Sequence, residues 1–180
     1  GVINENRPDH VKSWPEFRFL PGVFSAMRAL AYTDLKILVI TNQAIVNRGL
    51  VSAQQIDHIN RRMVDCISAM GGRIDGVLFC PHRPDEHCLC RKPNPGLLYQ
   101  AAVDHDVDLY RSYLIGDAVT DVIAGQTAGC QTILVLTGRG LSQYRSPEAK
   151  RLGDFWLSLD LQDAVNRILR QNYYREWRCQ

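Results

Sequence analysis

The residues Leu-Lys-Ile-Leu-Val-Ile at positions 35–40 form a short, nearly continuous apolar run with several β-branched side chains. Such runs are typical of strands that are buried on both faces of a parallel sheet. The run ends in Thr41-Asn42-Gln43, which places polar side chains at the carboxyl end of the predicted strand. A capping-box pattern then predicts a helix that begins at about Ala53 and ends before Gly71-Gly72.

Strand-like and helix-like segments continue to alternate after this first unit. Strands are predicted at residues 74–80, 112–115, 131–136 and, more weakly, 155–159, and helices at residues 94–106, 119–128 and 161–170. This alternation is typical of an α/β fold in which helices cover both faces of a parallel sheet. Since the sequence shows no repeat and no linker, we predict a single domain over residues 1–180 with a three-layer, Rossmann-like parallel sheet.

The composition excludes several classes of protein. The chain has 180 residues, 46% of them hydrophobic, and a net charge of +2, which suits an ordinary globular domain and does not indicate a nucleic-acid partner. The aromatic and basic tail at residues 173–178 mixes charges and makes a poor nucleic-acid footprint. No apolar stretch approaches the roughly 18 residues that cross a bilayer. We expect a cytoplasmic protein that binds neither nucleic acid nor membrane.

Four potential metal ligands crowd into one short, proline-rich segment. Cys80 and His82 are followed by Cys88 and Cys90, and thiols clustered with an imidazole at these separations are typical of a tetrahedral zinc site. Four protein ligands leave no open position for a reacting water, so the predicted zinc is structural. The alternative is a group of buried or disulfide-bonded cysteines. His87 is a spare candidate ligand.

Charged residues follow this segment and the strand predicted at residues 112–115. Arg91 and Lys92 are adjacent cations before a helix, an arrangement that can bind phosphate but also occurs on solvated surfaces. Asp117 and Asp121 stand at the carboxyl end of the predicted strand and in the following turn, where open α/β sheets bind their ligands. Carboxylates in this position suit Mg²⁺, although Asp121 would also serve as a helix cap.

Together and in this order, these residues resemble the motifs of the haloacid dehalogenase superfamily of aspartate-nucleophile phosphatases. Thr41 resembles the Ser/Thr of the second motif, Lys92 the lysine of the third, and Asp117 with Asp121 the acidic fourth motif. The spacing is similar to that of the subgroup that contains D-glycero-D-manno-heptose 1,7-bisphosphate phosphatase and histidinol-phosphate phosphatase. The cysteine–histidine segment resembles the zinc loop of that subgroup.

The resemblance implies Mg²⁺-dependent hydrolysis of a small phosphorylated sugar by a protein that we expect to be a monomer. The preferred substrate is D-glycero-D-manno-heptose 1,7-bisphosphate, and histidinol phosphate is the alternative. The implied site residues are Lys92 and Thr41 for catalysis, Asn42, Gln43, Ala44 and Arg91 for substrate binding, and Asp117 and Asp121 for Mg²⁺, beside the structural Zn²⁺. Ala44 stands where the heptose enzymes usually carry serine. A non-catalytic, zinc-stabilised binding module is the alternative of another class.

The first residues, Gly1-Val2-Ile3-Asn4, resemble the tail of the first motif of the same superfamily, a strand that ends in Asp-x-Asp. The resemblance implies that the nucleophilic aspartate and the general acid/base aspartate would precede Gly1. It also implies that their strand lies at the centre of the sheet, between the strands predicted at residues 35–40 and 112–115. We therefore expect the first central strand to be missing and the chain as given to lack activity.

Overall fold

The structure, a computed structural model, describes the backbone of residues 1–177 and the side chains of residues 1–172. The side chains of the tail considered above for nucleic-acid binding, residues 173–178, lie outside the described residues. The strands are β1 (Leu38–Asn42), β2 (Gly76–Cys80), β3 (Tyr113–Gly116), β4 (Gln131–Val135) and β5 (Trp156–Ser158). The helices are α1 (Val23–Ala31), α2 (Ala53–Ala69), α3 (Gly96–His105), α4 (Val119–Ala128), α5 (Gly140–Tyr144) and α6 (Leu161–Trp177).

The strands pair in parallel, as the sequence predicts, but they form two groups. β1 pairs with β2, with Leu38 opposite Gly76 and Asn42 opposite Cys80. β4 lies between β3 and β5 and is parallel to both. Among the described residues no ladder joins β1 to β3, so the sheet is divided into a two-stranded and a three-stranded part.

A cavity of about 670 Å³ lies between the two parts of the sheet. It is lined by every residue of β1 and every residue of β3, so an edge of each strand faces it. The cavity also reaches Lys92, Asp117 and Asp121 beyond the carboxyl ends of these strands. Its position between β1 and β3 is the place where the resemblance puts a central strand.

The predicted start of β1 was wrong by three residues. The strand begins at Leu38 because the backbone before it is hydrogen-bonded to side chains that precede β2. The amide of Ile37 donates to the Asp75 carboxylate at 2.7 Å, and the Arg73 guanidinium donates to the Leu35 carbonyl at 2.6 Å. The shift places Thr41 and Asn42 within the strand, as its last two residues.

The helix α1 was missed by the sequence analysis although its apolar pattern is regular. Four buried residues at helical spacing pack it against α2 and α6: Val23, Ala26, Met27 and Leu30. α2 begins where predicted, and the Ser52 hydroxyl accepts a hydrogen bond from the Gln55 amide at 3.1 Å. α6 is longer than predicted and continues to Trp177. Within the described residues, no helix has the length and apolar character needed to span a membrane.

Candidate active site and metal centre

The four residues predicted to bind zinc come together beyond the end of β2. Cys80 is the last residue of β2 and is fully buried, and His82, Cys88 and Cys90 lie on the loop that follows. Their ligand atoms all lie within 4.8 Å of one another. The Cys90 sulfur is 2.9 Å from the Cys80 sulfur and 3.2 Å from Nδ1 of His82. Three thiols and one imidazole around a single point suggest a tetrahedral Zn²⁺ site.

The alternative of disulfide-bonded cysteines receives no support, since all five cysteines of the described part are free. Burial raises the pKa of Cys90 to about 12 and also raises the pKa of Cys80. A metal that binds these thiolates must therefore displace their protons, as zinc does in closed cysteine sites. His87, the spare candidate, is not among the clustered ligands and ends the short 3₁₀ turn Pro84–Glu86 in a left-handed conformation.

The side chain of Lys92 connects the two parts of the sheet at their carboxyl ends. Its ammonium donates to the Ile40 carbonyl of β1 at 2.9 Å. It also lies 2.7 Å from the Asp121 carboxylate at the start of α4, and the two side chains are only 12% and 8% exposed. A nearly buried ion pair of this kind stays strong because little water screens it. The structure thus places a cation at the mouth of the cavity between β1 and β3.

The carboxylates of Asp117 and Asp121 lie close together but make different contacts. One oxygen of Asp121 accepts hydrogen bonds from the amides of Asp117 and Ala118, both at 3.1 Å, so Asp121 does cap the start of α4. Its other oxygen pairs with Lys92. Gly116 must be a glycine here, because a Cβ at that position would lie within 2.5 Å of the Asp121 side chain. Asp117 is buried and contacts the loop after β4.

That loop contributes Arg139, which the sequence analysis did not identify as a candidate site residue. The amide of Arg139 donates to the Asp117 carboxylate at 3.0 Å, and its guanidinium lies 3.6 Å from the same carboxylate. Two cations, Lys92 and Arg139, therefore oppose the two aspartates. The signal that could have identified Arg139 is its place just after β4, at the same end of the sheet as the other charged residues.

Three of the four predicted substrate-binding residues already donate hydrogen bonds within the protein. The amide of Gln43 donates to the Cys80 carbonyl at 2.7 Å, and the Arg91 guanidinium donates to the His82 carbonyl at 3.0 Å. Both side-chain atoms of Asn42 bond to the backbone of Lys92. Ala44 is buried. These contacts tie the end of β1 to the cysteine–histidine loop.

A second segment reaches the same cavity from the beginning of the chain. Asn6, Arg7 and His10 contribute to the cavity wall together with Thr41 and Gln43. Nε2 of His10 lies 3.3 Å from the Arg48 guanidinium. Burial and the neighbouring Arg48 lower the pKa of His10 below its usual 6.5. The His10 imidazole thus stands at the rim of the cavity, in contact with the Arg48 guanidinium behind it.

Comparisons with known proteins show that the fold is that of a haloacid dehalogenase-like hydrolase. The family model described as HAD-hydrolase-like matches residues 89–156, which include Lys92, Asp117 and Asp121. The D-glycero-beta-D-manno-heptose-1,7-bisphosphate 7-phosphatase of Bordetella bronchiseptica is 38% identical over 174 residues, covering 95% of this chain and 94% of that protein. The corresponding 7-phosphatase of Helicobacter pylori strain J99 is 36% identical over 138 residues, covering 76% and 79% of the two chains.

Solved structures agree with these sequence matches. The crystal structure of the D,D-heptose 1,7-bisphosphate phosphatase from B. bronchiseptica, complexed with magnesium and phosphate, has a TM-score of 0.88, with 34% identity over 95% of this chain and 94% of that one. The Burkholderia thailandensis D,D-heptose 1,7-bisphosphate phosphatase has a TM-score of 0.68, with 26% identity over 91% and 95%. This chain belongs to the D-glycero-D-manno-heptose-1,7-bisphosphate 7-phosphatase family of haloacid dehalogenase-like phosphatases. The resemblance inferred from the motifs is confirmed.

Proposed function

We propose that this protein is a Mg²⁺-dependent phosphatase that converts D-glycero-D-manno-heptose 1,7-bisphosphate to the 1-phosphate through an aspartyl-phosphate intermediate. The observation that carries the proposal is the Lys92 ammonium, held at the mouth of the cavity between Ile40 and Asp121. A nearly buried cation at the carboxyl ends of parallel strands is well placed to stabilise the charge that develops on a phosphoryl group. The proposal also rests on membership of the 7-phosphatase family.

The residues near the cavity mouth have different roles in this proposal. Lys92 and the Thr41 hydroxyl bind the phosphoryl oxygens that gain charge during transfer. Gln43, Ala44 and Arg91 are the substrate-binding residues of this proposal, and Asn42 supports Lys92 from the end of β1. Asp117, with Asp121 less directly, holds Mg²⁺, which supplies positive charge to the phosphate when it is bound.

The oxygen donors of the cluster suit magnesium in the chemistry of their side chains. Two carboxylates lie at the carboxyl end of β3, and Mg²⁺ is commonly held by one or two carboxylates together with waters and phosphate oxygens. Asp117 faces Arg139, whose side chain is more than half exposed and can therefore move away at little cost. Asp121 is bound to Lys92 and to two backbone amides, so its first role in this cluster is to position those groups.

We further propose that an additional strand pairs with both β1 and β3 in the active enzyme and brings the two catalytic aspartates to the cavity mouth. One carboxylate attacks phosphorus as the bond to the sugar oxygen breaks, and the second gives its proton to that oxygen and then activates water. The facing edges of β1 and β3 and the cavity between them support this proposal. Residues 1–180 alone would then be inactive.

We propose that the enzyme is a cytoplasmic monomer.

The test is phosphate release in the presence of Mg²⁺. Residues 1–180 and a version extended upstream by its coding sequence are assayed with heptose 1,7-bisphosphate and with histidinol phosphate. We expect the extended protein to release the 7-phosphate of the heptose and to prefer it to histidinol phosphate. Faster turnover of histidinol phosphate would overturn the substrate, and phosphate binding without turnover by either protein would favour a non-catalytic module.

A further inference from the structure

The side-chain amide of Asn42 forms two reciprocal hydrogen bonds with the backbone of Lys92, fifty residues away. Nδ2 of Asn42 donates to the Lys92 carbonyl at 3.1 Å, and Oδ1 of Asn42 accepts from the Lys92 amide at 3.1 Å. The two hydrogen bonds form a closed ring, so the Asn42 side chain pairs with the Lys92 backbone as a peptide group of a neighbouring strand would. Both bonds are partly buried, which protects them from competition with water.

Lys92 is therefore held to β1 at both ends of the residue. Its main chain is bonded to Asn42, and its ammonium is bonded to the carbonyl of Ile40, two residues earlier on the same strand. Apart from these contacts, Lys92 lies on an irregular loop between β2 and α3, where no strand pairing fixes its backbone. A lysine side chain also has a large rotamer entropy to lose when it is placed at one point.

We infer that Asn42 is a positioning residue for Lys92 rather than a substrate ligand. The amide edge that the sequence analysis assigned to substrate is occupied by the Lys92 backbone. A displacement of about 1 Å in a catalytic group lowers the rate by roughly 10²-fold, so a group that must meet a phosphoryl oxygen needs this kind of support. Asn42 fixes the position of the Lys92 backbone, and Ile40 and Asp121 fix the position of its ammonium group.

The inference deepens the proposed function, but its first test does not depend on turnover. The chain contains four lysines, Lys12, Lys36, Lys92 and Lys150, so competitive labelling with an amine-acylating reagent gives each one an internal standard. In the unchanged protein we expect Lys92 to react slowest because its side chain is only 12% exposed and is paired with Asp121. Mass spectrometry reads the four rates in one experiment.

Asn42→Ala should raise the labelling rate of Lys92 about 10-fold relative to the other three lysines, since two hydrogen bonds that fix its backbone are lost. Asn42→Asp keeps the size of the side chain but removes the donor to the Lys92 carbonyl, and it should raise the same rate. The matched control is Asn47→Ala, which removes another asparagine from the connection after β1 but breaks a bond to Glu86 instead. Unchanged labelling of Lys92 in both Asn42 variants would overturn the inference.

The second test is a double-mutant cycle on kcat and KM in the extended, active protein. If Asn42 acts through Lys92, Asn42→Ala lowers kcat more than it raises KM, and it has no further effect when Lys92 is already alanine. Independent effects that multiply in the double variant would show that Asn42 contacts the substrate and would refute the inference. If the unchanged protein turns over no heptose bisphosphate, the proposed function fails while the labelling result still decides the role of Asn42.

Discussion

Removing one ligand from the cysteine–histidine cluster should cost both the metal and several kcal/mol of stability. Cys88→Ala leaves three ligands for a site that needs four, and the binding energy of a structural zinc is also folding energy. Zinc present at a thousand times its dissociation constant stabilises a fold by about 4.1 kcal/mol. In a chain of this size 1 kcal/mol shifts Tm by about 2–4 °C, so we expect a decrease of roughly 8–16 °C.

The contacts of the loop give a similar magnitude. Three hydrogen bonds depend on its conformation: Asn94 to the Cys88 carbonyl at 2.8 Å, Arg91 to the His82 carbonyl at 3.0 Å, and Asn47 to Glu86 at 2.8 Å. At about 0.5–1.5 kcal/mol each, their loss amounts to roughly 1.5–4.5 kcal/mol. The two routes describe the same event, because the metal stabilises the fold by ordering this loop, and their values should not be added.

The assay combines elemental analysis of protein purified without chelator with thermal unfolding of the same samples. We expect one zinc per chain in the unchanged protein and little or none in Cys88→Ala. Cys66→Ala is the matched control, since Cys66 is a part-buried thiol on α2 outside the cluster and its loss should leave the zinc content unchanged. Absence of zinc from the unchanged protein, or a Cys88→Ala variant that retains zinc and Tm, would refute the assignment.

Three further predictions concern the cavity mouth. Lys92→Ala in the extended protein should lower kcat by about 10²–10³-fold. The fold should be retained because Asp121 keeps its two backbone hydrogen-bond donors. Near-normal turnover would show that Lys92 is a structural cation. Because the pKa of His10 is lowered in the folded protein, the contribution of His10 to stability is complete above about pH 6.5 and declines as the pH falls towards the folded-state pKa. Arg48→Ala should raise the pKa of His10, which NMR titration measures. An unchanged titration of His10 would contradict the role of Arg48. Residues 1–180 should have a lower Tm than the upstream-extended protein, since each backbone group left unpaired at the edges of β1 and β3 costs about 1–3 kcal/mol where it is buried. If the two proteins melt at the same temperature and with the same cooperativity, the proposal of an added strand is refuted.

The sequence alone determined those features that depend on neighbouring residues. Alternating apolar runs and capping signals predicted the α/β class and the start of α2, since strand and helix periodicities are local properties. The zinc cluster was predictable for the same reason, because all four ligands lie between positions 80 and 90. The rule that ligands bind at the carboxyl ends of parallel strands then placed Thr41 and Asp117 at one end of the sheet. The pattern of α1 was equally local and could have been found.

Only the tertiary structure decided which polar groups satisfy one another. The start of β1 depends on Asp75, which takes the Ile37 amide, and the role of Asn42 depends on a backbone fifty residues away. The opposition of Arg139 to Asp117 arises because β3 and β4 are adjacent in the sheet. A buried donor or acceptor must find a partner somewhere, but local periodicity does not say where. The partner is chosen by the packing of the whole chain, and here that packing determines what holds Lys92 in place.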